Sequence, residues 1–356
     1  VRLPDLPEDA GDLDPQTLTD LLAERHPGVR VDHVDVARRQ QVTNSHAWLS
    51  VTYHEPAGAP DSLFCKLLPR DDRRAQIAAT GMGLREAWFY ERLAPLLPLR
   101  TPLVHGVAVD EDDGAFVLLL EDLEATGCTT PDGTTGVGAD AAAAALEDLA
   151  AMHVRFEDPA VRAAEAPWVA PPKLGGDYGE RMLRYGLDHH RDRLRNDFAA
   201  IAELYIARRP ELQAIWVEGP QTVIHGDPHL GNLFDDHGRV GFLDWGIISV
   251  STPMRDVGYF LTMGMDPEVR RSHERDLLRH YLDVRAALGG TPITFDEAWL
   301  RHRLHAAYTV PASCQVVLFP DDITERRRIF AEAFLERAQS CVEDLESCAA
   351  LRQMGI

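Results

Sequence analysis

The sequence predicts an α+β fold in two lobes of unequal size, a strand-rich N-terminal lobe and a larger, mainly helical C-terminal one. Three observations predict it. A chain of 356 residues is too long for one ordinary hydrophobic core and divides into two, leaving room for a cleft. About the first 120 residues run as short β-branched and apolar stretches between turn signals. Beyond a Gly/Thr-rich run from Thr126 to Gly138, an alanine-rich segment opens a region where helical periodicity dominates.

Taken in order, Asp14 to Arg25 carries a helix start signal followed by Leu18, Leu21 and Leu22, an amphipathic packing helix. Residues 1–27 therefore read as an N-terminal helical extension. Val29 to Val36, Ala47 to His54 and Ser62 to Leu68 give three antiparallel strands, with Pro56 to Pro60 as a turn. Ala75 to Leu97 is a helix candidate, with Trp88, Phe89 and Leu93 for a core and Pro95 and Pro98 at its end. Leu103 to Val109 and Phe116 to Leu120 are two more strands around the turn Asp110 to Gly114. Residues 28–123 thus form a lobe of five strands and one embedded helix. The remainder, 124–356, opens with a helix over Ala141 to His153 and stays helical except for one β-like island, Thr222 to Trp245.

Composition narrows the function classes. With 45% hydrophobic and 26% charged residues the chain has the make-up of a globular protein, and no stretch approaches the roughly 18 apolar residues of a membrane span. The acidic, proline-broken segment Val1 to Ala10 lacks the basic start and apolar run of a secretory signal, so a cytoplasmic location is expected. Five scattered cysteines without a Cys-x-x-Cys pair indicate neither a disulfide framework nor a zinc site. A formal charge of −21 disfavours nucleic acid, which demands a basic footprint, and favours a cationic partner. Only Lys66 and Lys173 are lysines, so 34 of the 36 basic side chains are arginine. A retained lysine points to a site that needs a compact charge and not a planar fork.

The island carries the chemistry. Thr222-Val-Ile-His-Gly-Asp227 and Gly241-Phe-Leu-Asp244 are short apolar runs, each delivering an aspartate at its end, and Asn232 lies five residues after Asp227. Phosphoryl transfer needs an acceptor for the incoming hydroxyl's proton and hard oxygen ligands that hold Mg²⁺ against nucleotide phosphates. Asp227, Asn232 and Asp244 can supply both.

On these residues, His225-Gly-Asp227…Asn232 followed by Leu243-Asp-Trp-Gly246, the chain resembles the aminoglycoside phosphotransferase family and its ecdysteroid-kinase-like and choline-kinase-like relatives. The resemblance implies a protein-kinase-like two-lobe fold, Asp227 as catalytic residue, Asn232 and Asp244 as metal ligands, and ATP with Mg²⁺ as cofactors. It makes residues 28–123 the nucleotide-binding lobe and 124–356 the catalytic and substrate-binding lobe. It also implies a lysine on the third strand that contacts phosphates and pairs with a glutamate of the following helix. Lys66 fits the first role and Glu86 the second, with Glu91 as the alternative. A turn between the first two strands should cradle phosphates; the aligned segment Arg39 to His46 has no glycine, and Thr43, Asn44 and Ser45 would be its donors. Backbone groups near Glu121 and Leu123 would meet the adenine edge. His225 and His229 should brace the loop, Asp256 should support it, and Trp245 should pack.

The implied reaction is transfer of the γ-phosphoryl group of ATP to a hydroxyl of a small molecule: aminoglycoside-like, an aminoalcohol or another hydroxylated metabolite, a cationic acceptor being favoured by the acid excess. Residues Lys173 to Tyr178 and Arg301, His302, His305 and Tyr308 are candidates to line its pocket; the alternative makes His302, His305 and Tyr308 one face of an amphipathic helix. The missing glycines motivate a second function class, a nucleotide-binding pseudokinase with a regulatory role. A protein kinase is disfavoured because Pro253 and Asp256 follow Gly246 too closely for an activation segment. No nucleic-acid or membrane partner is expected, and the chain should be a monomer or a homodimer.

Overall fold

The computed structural model describes residues 6–316 and 324–356; the first five positions of the segment Val1 to Ala10, and positions 317–323 of the stretch 124–356, lie outside the described residues. The chain forms two compact units. One comprises the chain up to Thr129 together with Leu243–Ile247, the other Thr130–Phe242 and Ile248–Ile356.

The first unit opens with helix α1 (Pro15–Leu22), capped by the Asp14 carboxylate accepting from Thr17 N–H. Five antiparallel strands follow, β1 (Arg30–Gln41), β2 (Ser45–Glu55), β3 (Ser62–Leu67), β4 (Val104–Asp110) and β5 (Ala115–Glu121), in the order β1-β2-β3-β5-β4. Alternation places Ala47, Leu49 and Val51 of β2 with Leu63, Cys65 and Leu67 of β3 on one face, where Leu18, Leu21 and Leu22 of α1 complete the core. The opposite face therefore carries His46, Trp48, Phe64 and Lys66. Helix α1, within the expected extension over residues 1–27, thus packs into this core.

Two expectations are corrected here. The single helix over Ala75 to Leu97 is broken into α2 (Arg74–Thr80), α3 (Met82–Trp88), a π turn (Phe89–Leu93) and a 3₁₀ turn (Ala94–Leu96). The break falls at Gly81, whose φ of 66° is cheap only for a residue without Cβ. Strand β1 also runs five residues beyond its expected end at Val36, so the turn to β2 shrinks to Val42, Thr43 and Asn44.

The second unit is built on α4 (Ala139–Arg155), α5 (Pro159–Glu165), α6 (Tyr178–His189), α7 (Asn196–Val217), α8 (Pro253–Gly264), α9 (Pro267–Ala287), α10 (Phe295–Ala306), α11 (Thr309–Ala312), α12 (Glu325–Asp344) and α13 (Ser347–Gln353). Buried apolar side chains of α7, α10 and α12, among them Phe198, Ile201, Leu304 and Leu335, form its core. The β-like island becomes β6 (Thr222–Ile224), β7 (Leu233–Asp236) and β8 (Arg239–Phe242). A further strand, β9 (Ser249–Ser251), pairs with β6, and β7 pairs with β8. Leu243–Ile247, expected within 124–356, belongs with the first unit for a physical reason: Phe89 stacks on Trp245 at 3.7 Å and Arg85 Nε donates to Gly246 O at 2.9 Å.

Candidate active site

In the first unit, β3 presents Lys66 and α3 turns Glu86 inward, so that Lys66 Nζ lies 2.6 Å from Glu86 Oε2 and 3.4 Å from Asp244 Oδ1. Glu86, not Glu91, is the partner; Glu91 pairs with its neighbour Arg92. The Lys66 and Glu86 side chains are 5% and 3% exposed, whereas that of Asp244 is 45% exposed. Asp244 is thus the open member of the group. Its φ of 62° places a non-glycine residue in the left-handed region, a strain that clusters at functional sites. Burial works against the Lys66 ammonium, but the charges of Asp244 and Glu86 outweigh it and push its pKa up. Burial pushes Glu86 up to about 7, with Lys66 opposing and Asp244 adding to the shift.

In the second unit, β6 leads through His225 and Gly226 to Asp227. Asp256, fully buried in the first turn of α8, accepts His225 N–H at 2.7 Å and Gly226 N–H at 2.8 Å. His153 Nε2 lies 3.2 Å from the same carboxylate, and its Nδ1 lies 2.9 Å from the Tyr281 hydroxyl. Burial alone would raise the Asp256 pKa; His153, the nearby His225 and the Gly226 N–H outweigh it and hold the carboxyl below its usual range. The backbone that carries Asp227 is therefore hung from a buried anion.

Both loop histidines brace. Asp227 N–H donates to His225 Nδ1 at 3.2 Å and Gly231 N–H donates to His229 Nδ1 at 2.9 Å, so each ring carries its proton on Nε2. Asn232 Nδ2 donates to Asp227 O at 3.0 Å and to Asp227 Oδ2 at 3.1 Å. Since both partners are acceptors, the amide orientation follows, and its Oδ1 accepts no hydrogen bond among the described residues. An unpartnered amide oxygen and an exposed carboxylate are each hard donors of the kind Mg²⁺ takes. Among the described residues no group of three His, Cys, Asp or Glu is placed to hold a metal ion.

Other expected site residues fare unevenly. In the β1–β2 turn Thr43 is exposed, Asn44 is buried at 6% exposure, and Ser45 is already paired in β2. The Glu121 carboxylate is spent on Arg100 at 2.9 Å, on Leu103 N–H at 3.0 Å and on the Thr126 hydroxyl at 2.8 Å. Its own N–H donates to Leu103 O at 2.8 Å, so Glu121 anchors the segment and its amide is not open to an adenine edge. Leu123 O accepts Cys128 N–H at 2.9 Å. Trp245 is fully buried against Phe89 and packs.

Of the acceptor candidates, His302 and His305 are core. His302 Nε2 lies 3.2 Å from Glu274 Oε2, and His305 faces the carbonyls of Arg301 and Trp216 at 2.8 and 3.1 Å. Burial pushes the His305 pKa down to about 4. Tyr308 accepts from Arg255 Nη2 at 2.7 Å and packs edge-on against Trp216 and Tyr259. His46, Arg85, Arg100 and His153 were not singled out from sequence. His46 lies directly opposite Lys66, a pairing that only the register of β2 and β3 reveals.

A buried lysine–glutamate pair reaching a strand-end aspartate is the equipment of a kinase-type nucleotide site, and the class it defines here is the small-molecule kinases of protein-kinase-like fold. A model of the phosphotransferase enzyme family matches residues 9–291, most of the chain, and the chain belongs to that family. A choline kinase from Cryptosporidium parvum is similar in structure at 9% identity, over 96% of this chain and 97% of that one, with a TM-score of 0.50. A putative aminoglycoside phosphotransferase from Ralstonia eutropha matches at 15% identity over 91% and 96%, with a TM-score of 0.49. The GDP complex of an aminoglycoside 2'-phosphotransferase-IIIa mutant matches at 13% identity over 94% and 98%, with a TM-score of 0.47. At such identities a likeness concerns the fold alone. No curated protein sequence matches the chain.

Proposed function

We propose that the chain transfers the γ-phosphoryl group of ATP, with Mg²⁺, to a hydroxyl of a small molecule. The observation that carries this reading is the Lys66–Glu86 pair closing on Asp244, with contacts of 2.6 and 3.4 Å. In a chain whose basic residues are otherwise almost all arginine, a compact ammonium is held ready for phosphate oxygens.

Each residue has a role in this reading. Lys66 binds phosphate oxygens and Glu86 keeps it extended. Asn232 and Asp244 offer oxygen ligands to Mg²⁺, which neutralises charge developing on the transferred group. Asp227 orients the acceptor hydroxyl and takes its proton late in the transfer. Asn232, bonded to the Asp227 carboxylate, sets the direction from which that hydroxyl is approached. Asp256 keeps the loop in place without touching substrate.

Acceptor candidates remain an aminoglycoside-like compound, an aminoalcohol or another hydroxylated metabolite. The glycine-free turn Arg39 to His46 favours one competing reading, a pseudokinase that binds nucleotide without turnover. Mg²⁺-dependent ATP consumption measured over a panel of those acceptor classes decides between them. Turnover with at least one acceptor is expected; nucleotide binding with no turnover on any would establish the pseudokinase.

A further inference from the structure

The β1–β2 turn lacks the means to cradle a phosphate with backbone alone. A nest of successive N–H groups needs residues of alternating right- and left-handed conformation, which glycine supplies. No residue from Arg39 to His46 is a glycine, and none has a positive φ. The turn is instead closed on itself, with Val42 N–H donating to Asn44 O at 3.1 Å.

Side chains next to it carry unspent polar atoms. His46 is paired with Lys66 across β2 and β3, and directly opposite residues project from the same face of a sheet. The ring lies edge-on to Phe64, with centroids 5.1 Å apart. Its Nε2 is buried and has no hydrogen-bond partner, and the same holds for Oδ1 of Asn44, two residues before it. Buried polar atoms are nearly always paired, so an orphaned one beside a ligand site points to the ligand. Burial, reinforced by the Lys66 charge, pushes the ring's pKa down to about 4. A neutral imidazole with its proton on Nε2 is a hydrogen-bond donor that adds no charge next to Lys66.

We infer that His46 is a phosphate-binding residue of the nucleotide site, its Nε2–H donating to a phosphate oxygen held by Lys66 and replacing the backbone amides of a glycine-bearing turn. This rests on the phosphotransferase reading and deepens it: phosphate recognition in this lobe is carried by side chains on the sheet face. Hydrogen bonds to charged groups are among the stronger kind, so loss of this one should weaken nucleotide binding about tenfold or more.

The test is calorimetric titration of the full chain with MgADP, MgGDP and the parent nucleosides, for the wild type and three variants. His46→Leu and His46→Asn, which lose the donor or leave it too short, should weaken binding of the preferred nucleotide about tenfold and leave nucleoside binding unchanged. His46→Gln, whose amide nitrogen falls near the position of Nε2, should stay within about threefold of wild type. Folding of each variant is checked by its circular dichroism. Wild-type affinity in both His46→Leu and His46→Asn, or equal losses for nucleotide and nucleoside, would overturn the inference while leaving the phosphotransferase reading intact. A wild-type chain that binds neither nucleotide overturns both.

Discussion

The two units hold their chemical groups by opposite means. In the first, Lys66, Glu86 and Asp244 are held by one another's charge, and two of the three are almost removed from water. In the second, Asp227 and Asn232 are held by hydrogen bonds from backbone and neutral side chains, with Asp256 as the single buried anion at the root. Charges that support one another fail together, because removing one strands the next in a medium that cannot solvate it. Hydrogen-bonded scaffolding lets the Asp227 carboxylate be removed without collapse, provided the root is left alone. Asp227 is thus separable from the fold in a way that Lys66 is not.

The largest effect is expected at the root. Asp256→Ala strands the N–H groups of His225 and Gly226 and the buried His153 at once, and should destabilise the second unit by about 4 to 6 kcal/mol, read as a fall in the urea midpoint. Asp256→Asn, which keeps one carbonyl acceptor, should lose about half as much. Equal stability of Asp256→Ala and wild type would break the comparison.

Next comes the charge cluster. Lys66→Met leaves Glu86 buried without its partner and should cost about 3 kcal/mol, while Lys66→Met with Glu86→Leu should recover most of that stability. Nucleotide binding should be lost in both. A double variant less stable than the single would show that the pair contributes more than mutual charge compensation.

Last comes an effect that is small at neutral pH, a pH dependence in the second unit. His305 is buried neutral, its pKa lowered from 6.5 to about 4. The unfolded chain takes up the proton first, so stability is complete above pH 6.5 and is lost as pH falls toward 4, by about 3 kcal/mol in full. His305→Gln should flatten the urea midpoint between those limits; an unchanged slope would remove His305 as its source.

Legibility in the sequence followed how locally the chemistry is written. Asp227, Asn232 and Asp244 fall within eighteen consecutive positions of one island, so strand ends and spacing sufficed to propose their roles. Lys66 stood out because lysine is so rare here, and Glu86 because a helix lay twenty residues on. What composition could not show was set by tertiary contact. Gly81 breaks a helix that periodicity would continue, and the grip of Phe89 and Arg85 on Trp245 and Gly246 draws five residues into the other unit. His302 and His305 looked equally suited to a pocket or a packed face, and only their carbonyl and carboxylate partners place them in the core. His46 was hidden because its meaning depends on strand register.

The separability of Asp227 is tested most directly by comparing Asp227→Ala with wild type in one preparation, measuring both MgATP affinity and the rate of phosphoryl transfer to whichever acceptor the panel identifies. Affinity within a few-fold of wild type, an unchanged urea midpoint to within about 1 kcal/mol, and a rate lower by roughly 10² to 10⁴ are expected. A near-normal rate, or a variant that no longer folds, would contradict that separability.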